Sequence, residues 1–133
     1  MADTTEQASE KSTSEVIPIL YMSSAAAAVE WYAKLGFKQN WVHRFHPDFP
    51  AFVEISNGTM KLFLSEHTGD ARPDTLLFLR VPNIDEFVAK LDGVVPEDNL
   101  DLQLRECEVK DPDGNRLRIA STMGGESKGY TST

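Results

Sequence analysis

The fold follows from two matching stretches of this chain, NGTMKLFL at residues 57–64 and DGNRLRIA at residues 113–120. They lie 56 residues apart, and each begins with a turn-forming residue followed by glycine. Two further stretches, WYAKL at 31–35 and FVAKL at 87–91, are also 56 residues apart. Upstream, the strand-like segments 17–22 and 76–81 are separated by 59 residues. Repetition at this spacing indicates two copies of one supersecondary unit that bury their faces on one another.

Apolar periodicity and turn residues predict the same order of elements in both copies. In the first copy we predict a strand at 16–22, a helix at about 24–35, and strands at 37–46, 51–56 and 60–65. In the second we predict a strand at 75–81, a helix at 83–91, about one turn shorter than the first, and strands at 102–110 and 115–121. Pro96 and the pair Asp98-Asn99 interrupt any strand pattern at 94–101. The repeat nevertheless predicts β-α-β-β-β for each unit, with 94–101 as the least certain stretch of the second.

Alternation along the strands assigns their side chains to two faces. One set is aliphatic and is expected to lie under the helices: Leu20, Leu62, Leu64, Leu77, Leu79, Leu117 and Ile119. The opposite set mixes aliphatic, aromatic, polar and charged groups: Ile17, Ile19, Tyr21, Lys61, Phe63, Ser65, Leu76, Phe78, Arg80, Arg116 and Arg118. Such a mixture favours a solvent-facing surface or a ligand cleft over a packed helix interface.

Length and charge limit the possible functions. With 133 residues, the chain is long enough for one domain with its own core, which we place at 16–122, with modules at about 16–65 and 75–122. Polar segments at 1–15 and 123–133 are expected to be flexible tails. The net charge of −8 disfavours nucleic acid and favours a cationic ligand. No apolar run suggests a membrane span, and the single cysteine, Cys107, favours the cytoplasm.

Three motifs resemble the glyoxalase/bleomycin resistance/extradiol dioxygenase superfamily, also called vicinal oxygen chelate proteins. They are VEWYAKLGF at 29–37, KLFLSEH at 61–67 and DPDGNRLRI at 111–119, and the resemblance covers about residues 16–122. It implies an α+β fold in which two βαβββ modules form a curved mixed sheet around a cleft. In this family the cleft is often completed across a homodimer, so we expect a homodimer here.

The positions that hold a metal in enzymes of that family carry other side chains in this chain. Those enzymes use His or Glu from the first and last strand of each module, and the repeat places these positions at Ile17, Phe63, Leu76 and Arg118. None of the four offers the carboxylate or imidazole that a divalent ion prefers. The chain therefore resembles the metal-free bleomycin-resistance branch. That resemblance implies sequestration of a small-molecule antibiotic, with no catalytic residue and no cofactor.

Two alternatives remain open at this point. An enzyme of the same superfamily could use a relocated metal, for example at His43, His46 and Asp48, or no metal at all. A protein whose cleft is filled by its own side chains could instead serve in interaction or scaffolding. Asp111 and Asp113 resemble a pair of acid/base carboxylates, but their place in a turn favours a structural role.

We predict a ligand site that combines aromatic surfaces with a few charges. Its residues are Phe45, Phe52, Glu54, Phe63, Phe78, Arg80 and Arg118. Trp41 and Phe49 belong to the same aromatic cluster around the second and third strands. Arg118, like Arg116, is suited either to an acidic group of the ligand or to an ion pair with Glu106 or Glu108 on the neighbouring strand.

Overall fold

The computed structural model describes residues 13–123. Its elements, in chain order, are β1 (Ile19–Tyr21), α1 (Ala25–Ala33), β2 (Lys38–His43), β3 (Phe52–Asn57), β4 (Met60–Ser65), β5 (Leu76–Arg80), α2 (Ile84–Phe87), β6 (Glu97–Asn99), β7 (Leu104–Lys110) and β8 (Arg116–Thr122). Both halves of the described chain are β-α-β-β-β, as the repeat predicts. The predicted tails fall almost entirely outside the described residues.

The strands form two four-stranded sheets with the same topology. Their orders are β1-β4-β3-β2 and β5-β8-β7-β6. In each sheet the first strand runs parallel to the last, and the other neighbours are antiparallel. This arrangement confirms the predicted α+β class and the two-module architecture.

The strand register corrects the spacing of the repeat by one residue. Ile19 pairs with Phe63, and its counterpart Phe78 pairs with Arg118. Equivalent residues of the last strands are therefore 55 apart, whereas alignment of the glycine turns predicts 56. The prediction was wrong because the turns differ in length. Residues 58–59 join β3 to β4, whereas residues 111–115 join β7 to β8.

The core lies under the helices and extends through both modules. Six of the seven predicted core aliphatics are buried, and Leu77 packs against them half-buried. They form one cluster with side chains of both helices, including Tyr32 and Ile84. Ser65 is the exception on the opposite face, because it is fully buried. Its Oγ donates a 2.7 Å hydrogen bond to Asp70 Oδ2 and accepts one from the backbone N–H of His67.

Capping side chains define where both helices begin. Ser24 Oγ accepts a hydrogen bond from the Ala27 N–H at α1, and Asn83 Oδ1 accepts one from the Glu86 N–H at α2. α1 has nine residues and α2 only four, a larger difference than the single turn predicted. No helix within residues 13–123 is long and apolar enough to cross a membrane.

Residues 94–101 do contain a strand, despite their strand-breaking residues. β6 is limited to three residues, which pair with the start of β7. Pro96 immediately precedes β6, and Asn99 Oδ1 closes the following turn by accepting from the Leu102 N–H. Arg105 then ties β6 to α2 through Asp98 at 3.1 Å and both oxygens of Asp85, at 2.8 and 3.0 Å.

The turn at 111–115 joins the second module to the first. Asn115 Nδ2 donates a hydrogen bond to the carbonyl of Tyr21 at the end of β1. The Ser23 N–H donates a 3.0 Å hydrogen bond to Asp113 Oδ1. Asp111 is buried and accepts from the backbone N–H groups of Asp113 and Asn115. These bonds support the structural role that the sequence favours for both aspartates.

Candidate ligand-binding site

Three aromatic side chains form a wall on the first sheet, on the face opposite the helices. Trp41, Phe52 and Phe63 come from three adjacent strands, and we call them the aromatic wall. Their ring centroids lie 6.2 Å (Trp41 to Phe52), 5.9 Å (Trp41 to Phe63) and 5.0 Å (Phe52 to Phe63) apart. Trp41 is 41 % exposed and the two phenylalanines are half-buried. Large aromatic surfaces left partly open to solvent are typical of binding sites.

A β-bulge places Trp41 in this wall. The register of β2 against β3 shifts between Gln39 and Trp41, so Asn40 is the extra residue. Beyond the bulge, Trp41 lies opposite Glu54, which in turn lies opposite Phe63 on β4. Asn40 Nδ2 donates a 2.7 Å hydrogen bond to Glu54 Oε2 and thereby holds this carboxylate beside the wall.

A cavity of about 370 Å³ opens at one end of the aromatic wall. We call it the aromatic cavity, and its lining residues are Trp41, His43, Phe45, Phe52, His67 and Asp70. Phe45 is 73 % exposed and meets His43 edge to face, with ring centroids 4.8 Å apart. A flat ligand ring entering this cavity would find aromatic surface and one carboxylate, a combination suited to an aromatic cation.

The second sheet presents a more polar face. Phe78, Arg80 and Arg118 all lie on this face, and Phe78 is directly opposite Arg118. Arg118 Nε lies 3.2 Å from Glu108 Oε1. Of the two roles considered for Arg118, an ion pair on the neighbouring strand or a contact with an acidic ligand group, the structure thus contains the ion pair. Exposed pairs of this kind contribute little to stability, so a ligand group could compete for either partner.

The largest of the described cavities lies beside this face and is strongly acidic. Its volume is about 820 Å³, and we call it the acidic cavity. Its charged lining residues are Glu97, Asp98, Asp101, Glu106, Glu108 and Arg118, five carboxylates against one guanidinium. Valine and leucine side chains from 94–100 complete its wall. This balance attracts cations by long-range electrostatics.

The structure therefore divides the predicted site between two sheets. Phe45 and Phe52 line the aromatic cavity, Phe63 packs against Phe52, and Glu54 lies next to Phe63 across the strands. The other three predicted residues belong to the second sheet, and of these Arg118 lines the acidic cavity.

The predicted set does not include His43, His67 and Asp70, which line the aromatic cavity, or the carboxylates at 97–101, which line the acidic cavity. Alternation along β2, which places His43 on the same face as Trp41, was the available signal for His43.

Cys107 also borders the acidic cavity. Partial burial raises the pKa of its thiol, and the nearby carboxylates of Asp85 and Glu106 raise it further. A raised pKa keeps the thiol protonated at neutral pH, and the thiol is a much weaker nucleophile than the thiolate. Cys107 is therefore a lining residue and is poorly suited to nucleophilic catalysis.

Comparison with known proteins identifies the class. A family model described as "Glyoxalase superfamily protein" matches residues 2–126 of the chain. The chain therefore belongs to that superfamily. This match confirms the resemblance found in the sequence. A comparison with curated proteins finds no match.

Solved structures of similar fold include antibiotic-binding proteins. A bleomycin-binding protein complexed with bleomycin is 19% identical, with a TM-score of 0.64 over 83% of this chain and 99% of that chain. TnmS3, an antibiotic binding protein from Streptomyces sp. CB03234, is also 19% identical, with a TM-score of 0.64 over 84% of this chain and 98% of its own. A glyoxylase/bleomycin resistance protein/dioxygenase domain from Frankia sp. EAN1pec is 19% identical, with a TM-score of 0.67 over 87% of this chain and 97% of that chain. At these identities, the likeness shows the fold alone.

The metal of the superfamily's enzymes does not fit the residues of this chain. The four corresponding positions hold two aliphatic side chains, the phenyl ring of the aromatic wall and the guanidinium of Arg118. Phe63 packs on Phe52, and Arg118 is paired with Glu108. Elsewhere in residues 13–123, no group of three or more His, Cys, Asp or Glu side chains is placed to hold a metal ion. The set His43, His46 and Asp48 is thus not gathered into a site.

Proposed function

We propose that this protein binds a small antibiotic-type molecule, flat, aromatic and cationic, and sequesters it without chemical change. The aromatic wall is the observation that carries this proposal. It occupies a sheet face on which the superfamily's enzymes place metal ligands, and it supplies stacking surface there instead. Bleomycin and antibiotic binding by two proteins of the same fold supports the ligand class.

The charges near both cavities support a cationic ligand. Asp70 lies in the aromatic cavity, and Glu54 lies beside the aromatic wall. The acidic cavity contributes five further carboxylates. A cation gains attraction from these groups, and an aromatic cation also gains from the faces of the wall.

We further propose that two copies of the chain form the complete cleft. The aromatic cavity lies on the first sheet and the acidic cavity lies beside the second. In a homodimer like those of the superfamily, the aromatic cavity of one copy would face the acidic cavity of the other. All six residues of β2 are exposed, as are Leu76 and Phe78 on the second sheet. Covering this surface with a second copy would remove exposed apolar area from water. We propose the cytoplasm as the location.

The protein's own tryptophans provide the test. The sequence contains two, and Trp31 packs edge to face on Tyr32 in α1. In Trp31→Phe, emission therefore reports on Trp41 in the aromatic wall. We expect saturable quenching when this variant is titrated with metal-free bleomycin or other cationic aromatic antibiotics, with matching heats in calorimetry of the unmodified protein. The proposal fails if no such ligand gives a saturable signal.

Elemental analysis separates this proposal from the enzymatic alternative. We expect protein purified without chelators to lack stoichiometric transition metal, and we expect the ligand to be recovered unchanged after incubation. A stoichiometric metal, together with conversion of a substrate that stops when the metal is removed, would establish an enzyme instead.

A further inference from the structure

One carboxylate belongs to the same row of side chains as two rings of the aromatic wall. Glu54 on β3 lies directly opposite Trp41 on β2 and directly opposite Phe63 on β4. Side chains opposed in this way on neighbouring strands have Cβ atoms about 5 Å apart. The rings of Trp41 and Phe63 converge across β3, with centroids 5.9 Å apart. A flat molecule that stacks on these rings therefore lies within reach of the Glu54 carboxylate.

Asn40 fixes this carboxylate from the β-bulge. Its Nδ2 donates to Glu54 Oε2 at 2.7 Å and to Ser56 Oγ at 3.0 Å. The Ser56 hydroxyl donates back to Asn40 Oδ1 at 3.3 Å, and Ser56 is buried. The amide is thus held at both its nitrogen and its oxygen. Because Asn40 is the extra residue of the bulge, the distortion that brings Trp41 into the wall also supplies the hydrogen bond to Glu54.

A lysine on β4 is the competing partner for Glu54. Lys61 lies opposite Ser56, which follows Glu54 on the same face of β3. Its Nζ donates a 2.7 Å hydrogen bond to Glu15, which raises the pKa of Lys61, and the negative charge of Glu54 raises this pKa further. Within residues 13–123, no basic side chain forms an ion pair with Glu54. The hydrogen bond from Asn40 thus holds Glu54 beside the wall without neutralising it.

We propose that Asn40 is a positioning residue for Glu54, and that this pair makes the aromatic wall selective for cationic rings over neutral rings of the same shape. The inference rests on the proposed function and identifies the groups that set its preference for charge. In the completed cleft, the carboxylates of the acidic cavity attract cations from the other sheet and add to this preference. Glu54 differs from them because it lies beside the stacking surface itself. Without Asn40, Glu54 is free to turn toward Lys61 and lose its contact with the ligand.

A matched pair of probes tests the proposal. N-methylacridinium is permanently cationic, whereas N-methylacridone has nearly the same shape and is neutral. Calorimetric titration of the full chain at neutral pH gives the dissociation constant of each. We call the constant for N-methylacridone divided by that for N-methylacridinium the charge preference. Far-ultraviolet circular dichroism confirms that each variant is folded.

The first variant removes the charge of Glu54 and keeps its shape. An opposite unit charge about 4 Å from a cation raises its affinity roughly fivefold in water, and more in a partly enclosed site. We therefore expect Glu54→Gln to lower the charge preference roughly five- to tenfold. The whole change should come from weaker binding of N-methylacridinium, and the affinity for N-methylacridone should stay the same.

Further variants test whether Asn40 acts through Glu54. Asn40→Ala should lower the charge preference and leave the affinity for N-methylacridone unchanged, because the stacking surface remains. In the double variant Asn40→Ala, Glu54→Gln, the charge preference should equal that of Glu54→Gln alone. Gln39→Ala is the matched control, because Gln39 precedes Asn40 on β2 and lies opposite Ile55, which is buried on the helix face. It should leave both affinities unchanged.

The possible results separate the inference from the proposed function. Equal weakening of both probes in Asn40→Ala would mean that Asn40 only maintains the bulge, which overturns the inference and leaves the proposed function standing. A charge preference that either single variant leaves unchanged also overturns the inference. The same holds if Asn40→Ala still lowers the charge preference when Glu54 is already glutamine. Absence of saturable binding of both probes to the unmodified protein contradicts the proposed function as well.

Discussion

The phenol of Tyr32 in α1 donates a 2.8 Å hydrogen bond to Asp111 Oδ2 in the β7–β8 turn, and both groups are buried. This bond connects the helix of the first module with the turn of the second. Asp111 Oδ2 also accepts from Asn115 Nδ2 at 3.0 Å, and the same amide reaches the Tyr21 carbonyl. The two modules are thus held together by a buried polar network in addition to their shared core.

Removing the hydroxyl of Tyr32 should weaken the contact between the two modules without opening a large cavity. In Tyr32→Phe, Asp111 loses one of its hydrogen bonds inside the protein, and we expect a loss of about 1–3 kcal/mol in the free energy of unfolding. Urea denaturation measures this change. Trp31→Phe is the control, since Trp31 is only half-buried, and it should cost less. Equal effects of the two substitutions would argue against the network.

The same hydrogen bond predicts a loss of stability in alkali. Burial raises the pKa of Tyr32 well above its ordinary value, and the negative charge of Asp111 raises it further. Well below pH 10 the phenol is protonated in both the folded and the unfolded chain. At higher pH the unfolded chain releases this proton while the folded chain retains it, so stability falls as pH rises. Chemical denaturation above pH 10 should show this slope, and Tyr32→Phe should reduce it.

Aromatic truncation should distinguish the cavity from its surroundings. In Phe52→Ala, a ligand loses one stacking surface of the aromatic wall, and we expect its affinity to fall by about tenfold or more. Phe49→Ala removes an exposed ring that does not line the cavity. Calorimetric titration of both variants with the same antibiotic gives the comparison. Equal losses would show that the ligand binds elsewhere.

Two glycines in left-handed turns should respond differently to alanine. Gly36 has φ +87, and a Cβ there would lie 2.7 Å from Asn57 Nδ2, which donates to the carbonyl of Leu35, two residues after the end of α1. Gly58 has φ +59 with open space around it. We expect Gly58→Ala to cost about 1–2 kcal/mol from backbone strain alone. Gly36→Ala should cost more, because it also disturbs Asn57. Thermal unfolding of the two variants tests this order.

Local sequence patterns were sufficient for the modules, their order and their faces. Alternation placed Leu62, Leu64, Leu117 and Ile119 in the core, and the repeat predicted the order of elements in each module. Alignment by glycine failed by one residue because Gly58 and Gly114 occupy different positions in turns of different length. β6 was not predicted because Pro96, Asp98 and Asn99 disfavour a strand at 94–101. Pairing with β7 is nevertheless enough to form a strand of three residues there.

The site was less accessible from sequence because its parts come from distant segments. Phe45 and Phe52 were identified by type, but their association with His67 and Asp70 depends on how the segment after β4 turns back through Ser65. The acidic cavity depends on the folded position of 93–101, which Arg105 fixes through Asp85 and Asp98. Neither arrangement produces a periodic pattern of residues in the sequence.

Native mass spectrometry of the protein, incubated with metal-free bleomycin after removal of adventitious metal, tests the central claim most directly. It reports subunit number, bound metal and ligand mass in one spectrum. Our account predicts a species with two chains and intact ligand, and no transition metal. A complex that forms only with a stoichiometric protein-bound metal, or one in which the ligand mass has changed, would contradict recognition without catalysis.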